Sequence, residues 1–265
     1  MVLDRTDSEP ASPLRRAEKV SQIVAREIVR DMKGLKPADM LPQESAMLER
    51  YRVGRASLRE ALRILEVHGL IVIRAGPGGG PMVAPVRTRD FARMTSLYAH
   101  LLGATYGDVL AARLVMEPVM ARLAAERQEV YQLEQLQDFI VPPAAPVDDA
   151  TYMRSSRRFH DVVSGLSGNP VLDFMGGALK DIYTDRFEHT AFPPKARRKI
   201  AHGHAAIAET IVAGDAKKSE LLMREHMLES AAFLQASNPG VLDEVVEWRS
   251  RGSRWSPFRS TTSWS

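Results

Sequence analysis

Three arginines fall at four-residue intervals in one stretch of the chain: Arg55, Arg59 and Arg63. On an α-helix that spacing lines them along one face. A row of like charges repels itself slightly, so a helix that merely meets water gains little from it. A helix lying in the major groove of DNA gains much more, because guanidinium groups bind phosphate oxygens and guanine edges in a forked geometry. Ser57 sits among them, and Arg74 and Gly76 follow in a glycine-rich stretch; together these six are the candidate DNA-contacting residues. A second group is His160, His204 and His226. Imidazole is a common ligand of zinc, nickel, copper and iron. His204 lies ten residues before Gly214 and His226 twelve after it. On two antiparallel helices joined at Gly214, such offsets bring the two rings side by side if their faces match. A histidine on a helix is more often a satisfied surface or core residue, and spacing alone leaves that reading open.

The elements that must hold the arginines are readable around them. Leu41 to Leu48 predicts a short helix, Tyr51-Arg52-Val53-Gly54 a tight turn, and Arg55 to Leu65 a second helix. Leu58, Ala61, Leu62 and Leu65 recur at three- and four-residue spacing, the mark of a buried stripe beside the arginine face. Gly69 ends that helix. Leu70-Ile71-Val72-Ile73, the glycines and Met82-Val83 predict a two-stranded wing, whose Arg74 and backbone amides can reach the DNA backbone. An ordinary helical hairpin with a solvated basic face would explain the arginines but not the turn, the stop and the wing in register with them.

The whole chain sets wider bounds. At 265 residues it can form two domains. Cysteine is absent, so disulfides and thiolate metal ligands are excluded, and a reducing cytoplasm is the expected location. No apolar run reaches a membrane span, and no signal-peptide pattern opens the chain. The net charge is +3, but residues 13–87 carry 14 Lys and Arg against 8 Asp and Glu. The positive charge thus gathers where the arginine helix lies, as a nucleic-acid partner requires.

In chain order, residues 1–12 are expected to be disordered. Residues 13–87 form the DNA-binding domain, opened by an amphipathic helix over 16–33 with Val20, Ile23, Val24, Ile28 and Val29 buried. Residues 88–236 read as helices throughout. Thr88 is placed to cap the first, which carries Phe91, Met94, Leu97, Tyr98 and Leu101. The next runs from about Asp108 to Arg127, with Leu110, Leu114, Val115, Val119, Leu123 and Ala124 inside. Others span 130–140, 148–166, 171–187 (weakened by Gly176-Gly177), 195–213 and 215–236, with a stiff proline-rich connection at 142–146. Residues 237–265 form a tail expected to be mostly disordered. The fold class is mainly α: a winged helix-turn-helix, then an all-helical bundle.

These residues resemble the GntR family of bacterial transcription regulators, in its FadR-type (FCD) branch, over about residues 15–236. The N-terminal match is Leu41-Pro42-x-Glu44, then Val53-x-Arg55-x-x-Leu58-Arg59-Glu60-Ala61-Leu62 and Leu65-x-x-x-Gly69-Leu70. The C-terminal match is looser: Arg113-x-x-x-Glu117-Pro118, Ala124-Ala125, Phe159-His160, Gly168-Asn169-Pro170, His204-x-x-Ile207, Gly214-Asp215 and His226.

The resemblance implies a cytoplasmic homodimer whose winged helices read the two halves of a palindromic operator. It implies repression relieved by a small-molecule effector, a carboxylate or acyl compound among the candidates, bound in the helical domain. Effector-binding positions carried over are Arg113, Glu117, Ser156, His160, His204 and His226. Many relatives hold a divalent metal with three histidines, here His160, His204 and His226, plus an aspartate four residues before the first. Here that position is Ser156, which removes a charge and an anchor. Three histidines can still hold zinc or a similar ion, with water or an effector carboxylate in fourth place; without metal the same pocket is a plain effector cavity. Arg113 has two readings: partner of an anionic effector, or surface salt bridge with Glu117 at i+4. Ser45 stands where the family usually has a DNA-contacting arginine. Gly54 stands where Ser or Thr usually caps the recognition helix, a change of a few tenths of a kcal/mol. Of the other histidines, His189 and His202 are expected to be exposed.

Two other functions compete. A metal-dependent enzyme built on the three histidines would need a general base, and no His-Glu-x-x-His pattern or carboxylate pair lies near His160 or His204. A sequence-indifferent architectural DNA binder would not need a helical domain of this size.

Overall fold

The computed structural model describes residues 19–76, 78–128, 133–140, 148–187 and 192–248. The chain divides into two compact units, the first ending at Val86 and the second beginning at Arg87.

The first unit holds α1 (Val20–Asp31), α2 (Glu44–Tyr51), α3 (Arg55–Val67) and the hairpin β1 (Ile71–Arg74) and β2 (Gly80–Val83). Its core is Val24, Ala25, Ile28, Leu41, Met47, Leu58, Ala61, Leu65, Ile71 and Val83. On α1 the buried stripe runs through Ser21, Val24, Ala25 and Ile28. Val20, Ile23 and Val29, expected inside, are exposed. A stripe at i, i+3, i+4 and i+7 is full with those four, and a small serine lets α1 approach α3. Residues 16–18 of the expected helix, and residues 1–12, lie outside the described residues.

The turn from α2 to α3 takes three residues. Arg52 is left-handed at φ 51°, and the Val53 amide donates to the Leu48 carbonyl at 3.3 Å. Gly54 is extended and caps α3 without a side chain. At the other end Gly69 takes φ 74°, its amide donates to Glu66 and that of Leu70 to Leu65. This pair of bonds satisfies the last carbonyls of α3 and turns the chain into β1. The strands pair antiparallel with Ile71 opposite Val83 and Arg74 opposite Gly80, and Met40 adds a bridge to Met82. A side tie holds α1 to α2: Asp31 accepts from Arg50 and from the Tyr51 hydroxyl, at 2.8 and 2.7 Å.

The second unit is helical among the described residues apart from an isolated bridge: α4 (Thr88–Leu101), α5 (Tyr106–Arg127), the short α6 (Gln137–Ile140), α7 (Asp149–Leu166), α8 (Pro170–Arg186), α9 (Pro194–Val212) and α10 (Ala216–Ser237). Local chemistry sets the starts. Thr105 and Asp108 form a reciprocal capping box on α5. Asp148, Asn169 and Asp215 accept amide hydrogen bonds at the starts of α7, α8 and α10. Pro170 and Pro194 occupy first-turn positions where no amide is needed. Helix α10 packs along α5 and α9, and α8 packs against α4, α5 and α7. Phe159, Ile207, Ile211 and Met223 are fully buried at the centre.

Several expectations shift here. Residue 88 begins α4 but does not cap it; the Thr88 hydroxyl donates instead to Asp181 of α8 at 2.8 Å. On α4 the buried residues are Ala92 and Ser96, while Phe91, Tyr98 and Leu101 are exposed. On α5, Val115 is exposed and Leu114, Val119 and Leu123 are half-buried, because Arg113 and Glu117 take core positions in the row with Leu110, Ala121 and Ala124. Helix α8 runs unbroken through its two glycines. Gly176 and Gly177 are buried, and a Cβ on Gly177 would stand 2.7 Å from Cγ2 of Thr88. Gly177→Ala is therefore expected to lower stability by about 1–3 kcal/mol through overpacking against α4, read as a fall in Tm.

Of the tail expected to be disordered from 237, residues 238–248 are anchored at a few points and 249–265 lie outside the described residues. Val241 and Val246 are fully buried, Val246 donates to the Ala104 carbonyl at 2.9 Å, and Glu244 pairs with Arg186 at 2.7 Å. The 142–146 connection and residues 130–132 also lie outside the described residues.

Candidate DNA interface and ligand pocket

In the first unit, α3 seals one face with Leu58, Ala61 and Leu65 and leaves Arg55, Arg59 and Arg63 exposed. Arg59 and Arg63 border a groove of about 390 Å³ shared with Pro42 and Gln43 at the start of α2 and Gly79, Gly80 and Pro81 of the wing. The arginines are held only loosely. Arg59 lies 3.6 Å from Glu44 and Arg63 2.9 Å from Glu66, each with its side chain more than two-thirds exposed. Such pairs contribute on the order of 0–1 kcal/mol, so a phosphate or base edge displaces them readily. Ser57 is half-buried in the first turn of α3, and Arg74 and Gly76 are exposed at the end of β1 and in the hairpin loop. Ser45 is exposed on the first turn of α2.

In the second unit the three histidines come together from three helices. His160 (α7), His204 (α9) and His226 (α10) each offer a ring nitrogen, and the three nitrogens lie within 4.8 Å of one another. His204 Nε2 and His226 Nε2 are 3.1 Å apart, so one donates and the other accepts. Phe159 stacks on His204 with centroids 4.0 Å apart and fixes that ring. Burial holds both rings neutral: it pushes His204 well below its ordinary pKa and His226 down to about 3, with the neighbouring His160 adding to both shifts.

Arg113 and Glu117 are not on the surface. Both are about 95% buried, and Arg113 Nε donates to Glu117 Oε1 at 2.6 Å. The other carboxylate oxygen meets His160 Nδ1 at 2.6 Å. Burial alone would raise the pKa of Glu117, but Arg113 and His160 outweigh it and keep the carboxyl ionised. An ionised carboxylate only accepts, so His160 carries its proton on Nδ1 and turns Nε2 toward the other rings. A carboxylate behind a histidine is the arrangement that orients and strengthens a metal ligand. The donor set therefore fits a divalent ion of the zinc or nickel type: three imidazoles within reach of one another, two of them held neutral by burial and the third backed by a carboxylate.

Beside this cluster is a cavity of about 80 Å³. Of the expected effector residues, Arg113, Ser156, His160 and His226 line it; Glu117 and His204 sit behind the wall. Its remaining lining was missed at the level of sequence: Arg157 of α7, Tyr183 of α8, and Tyr152 among others. Arg113 carries its guanidinium 4.8 Å from the Tyr183 ring centroid. A two-arginine run at 157–158 gives no signal by itself of which member faces inward. His202 is exposed, as expected, and His189 lies outside the described residues.

Comparison with known proteins bears on both sites. Residues 17–79 match the model of the bacterial regulatory proteins of the gntR family, and residues 108–229 match the FCD domain. Among named relatives, the HTH-type transcriptional regulator YcbG of Bacillus subtilis is 28% identical over 193 residues, 73% of this chain and 79% of that protein. The HTH-type transcriptional repressor NanR of Cronobacter sakazakii is 30% identical over 175 residues, 64% of this chain and 66% of that protein. A solved GntR protein of Streptococcus agalactiae shares the fold, with TM-score 0.60 at 20% identity, covering 80% of this chain and 99% of that one. The two matched models span well over half the chain, and they do so in the order the motifs set. The chain belongs to the GntR family, with an FCD domain following its winged helix-turn-helix, and it is a DNA-binding transcriptional regulator rather than an enzyme.

Proposed function

We propose that this regulator is a FadR-type homodimeric repressor that binds a palindromic operator with α3 and releases it when a small-molecule effector enters the helical unit. The observation that carries the reading is α3: one face sealed into the core, the other bearing Arg55, Arg59 and Arg63 beside the wing. Arg59 and Arg55 read or clamp the duplex, Arg63 and Ser57 support them, and Arg74 and the Gly76 amide meet the backbone of the DNA. Dimerisation is supported by the exposed apolar residues Tyr98, Leu101 and Leu102 at one end of α4, a surface that a monomer has no reason to keep bare. Repression is supported by the names of the NanR relatives.

His160, His204 and His226 would hold a divalent cation, with Ser156 contributing a hydroxyl where a carboxylate would add charge. When bound, the ion supplies a positive centre for an oxygen of the effector. Arg113 and Glu117 orient His160 and set the polarity of the wall.

Footprinting and sedimentation test this together. The expected result is a protected site with two-fold symmetry, half-sites about one helical turn apart, covered by two chains. Protection by a single chain, or no protected site upstream of the gene or its neighbours, contradicts the reading. No helix among the described residues is long and apolar enough to cross a membrane.

A further inference from the structure

Two residues that line the cavity each carry a buried polar atom that makes no hydrogen bond: Nε of Arg157 and the hydroxyl of Tyr183. Buried donors in folded proteins are nearly always paired, so two on one wall point to a partner that enters. Burial raises the pKa of Tyr183, which keeps its O–H as a donor. Both groups then ask for acceptors, and one of them is a cation.

Another nitrogen of the Arg157 guanidinium is tied to α8. This Nη2 donates to the Thr184 carbonyl at 3.2 Å and lies 3.6 Å from Oδ1 of Asp185. The same Oδ1 lies 3.8 Å from Nη2 of Arg89, in the first turn of α4. One carboxylate on α8 is therefore shared between an arginine of the cavity wall and an arginine of the first helix after the DNA-binding unit in the chain. Both separations exceed hydrogen-bond length. The end of α4 involved is the end already fastened to α8, by Thr88 on Asp181 and by the close approach of Thr88 to Gly177.

We propose that Arg157 is the residue through which the cavity senses its ligand. A small anion gives one oxygen to Arg157 Nε and another acceptor to the Tyr183 hydroxyl. With Arg157 neutralised from the cavity side, Asp185 closes on Arg89 and the occupancy of the pocket reaches α4. This rests on the effector-responsive reading above and specifies the residues that carry the response. At about 80 Å³ the cavity is roughly half the size of one that accepts benzene, so the ligand is an acid of only a few carbons.

The test uses the full chain with glycolate, oxalate and malonate as probes. Binding is followed by calorimetry, and affinity for its own promoter DNA is measured with and without each probe. In the wild type at least one probe binds and changes DNA affinity by at least fivefold, the lower end of ordinary allosteric coupling. Arg157→Gln and Arg157→Lys both weaken that probe tenfold or more; the second keeps the charge and guards against misfolding of the first. Tyr183→Phe weakens it by a smaller factor. Asp185→Asn binds the probe within threefold of wild type, yet its DNA affinity no longer responds. Unchanged probe binding by both Arg157 variants, or a full DNA response in Asp185→Asn, overturns the proposal while leaving the regulator reading intact. A wild type that binds its promoter but none of the three acids also overturns it. A wild type with no preference for its promoter removes both.

Discussion

Arg59→Ala is expected to lower affinity for the operator by about ten- to a hundredfold while leaving folding and dimerisation unchanged. The size follows from what one arginine contributes: a bidentate base contact or a charge-assisted phosphate contact is worth about 1.5–3 kcal/mol. The specificity of the effect follows from position. The Arg59 side chain is exposed, and its ion pair with Glu44 spans 3.6 Å, so truncation costs the fold almost nothing. Leu58, next to it, is fully buried and would fail differently, by unfolding the unit. The two contact types separate in one experiment. Loss of a phosphate contact weakens all sequences alike and reduces the slope of log affinity against log salt by about 1; loss of a base contact relaxes the preference at one position of the site. An Arg59→Ala protein that binds its operator as the wild type does would remove α3 from the interface.

The second large effect concerns the histidines. A divalent ion at a thousandfold excess over its Kd is expected to stabilise the second unit by about 4 kcal/mol, a rise in Tm of roughly 8–16 °C for a unit of this size. His204→Ala should abolish that rise, since it removes a fully enclosed ligand that no neighbouring side chain replaces. The pH dependence has a definite sign. His226 titrates at about 3 in the folded chain and His204 is also depressed, whereas both return to about 6.5 on unfolding. Below pH 6.5 the unfolded chain therefore takes up protons that the folded one refuses. Metal-free protein should lose stability as pH falls from about 6.5 toward 3, by about 1.4 kcal/mol per pH unit from His226, with His204 adding in the same direction. Bound metal should hold the unit together further into that range. Flat stability between pH 7 and pH 4 in the metal-free protein, or a His204→Ala variant that still gains the full metal-induced rise, would contradict the site.

How much of this was written in the sequence depends on which force placed each residue. The arginine row of α3, its apolar stripe and the Gly69 stop are local: spacing and capping decide them, and they appear where the spacing put them. The pairing of His204 with His226 was also legible, because two antiparallel helices of known length meet at a glycine turn. Arg113 and Glu117 were harder. A charged i, i+4 pair reads as surface, and only the third partner, His160, arriving from 43 residues away, makes its burial tolerable. Their inward turn rotates α5 and exposes Val115. Phe91, Met94, Leu97, Tyr98 and Leu101 of α4 have helical spacing, but Tyr98, Leu101 and the neighbouring Leu102 remain bare in a single chain, and periodicity cannot distinguish a core from an interface. The segment 238–248 lacks helical period altogether; it is held by tertiary bonds to Ala104, Tyr106 and Arg186 that no local pattern announces. Arg157 and Asp185 belong to the same class, long-range pairs on exposed-looking helix positions.

The account stands most directly on one titration. Purified full-length protein is added to a labelled duplex from its own upstream region and to a scrambled duplex of equal length, at several salt concentrations. The expected outcome is affinity for the native duplex at least about 10³-fold above that for the scrambled one, with both falling linearly in log salt. Equal affinity for the two duplexes at every salt concentration would mean that the exposed guanidinium row of α3 reads no sequence.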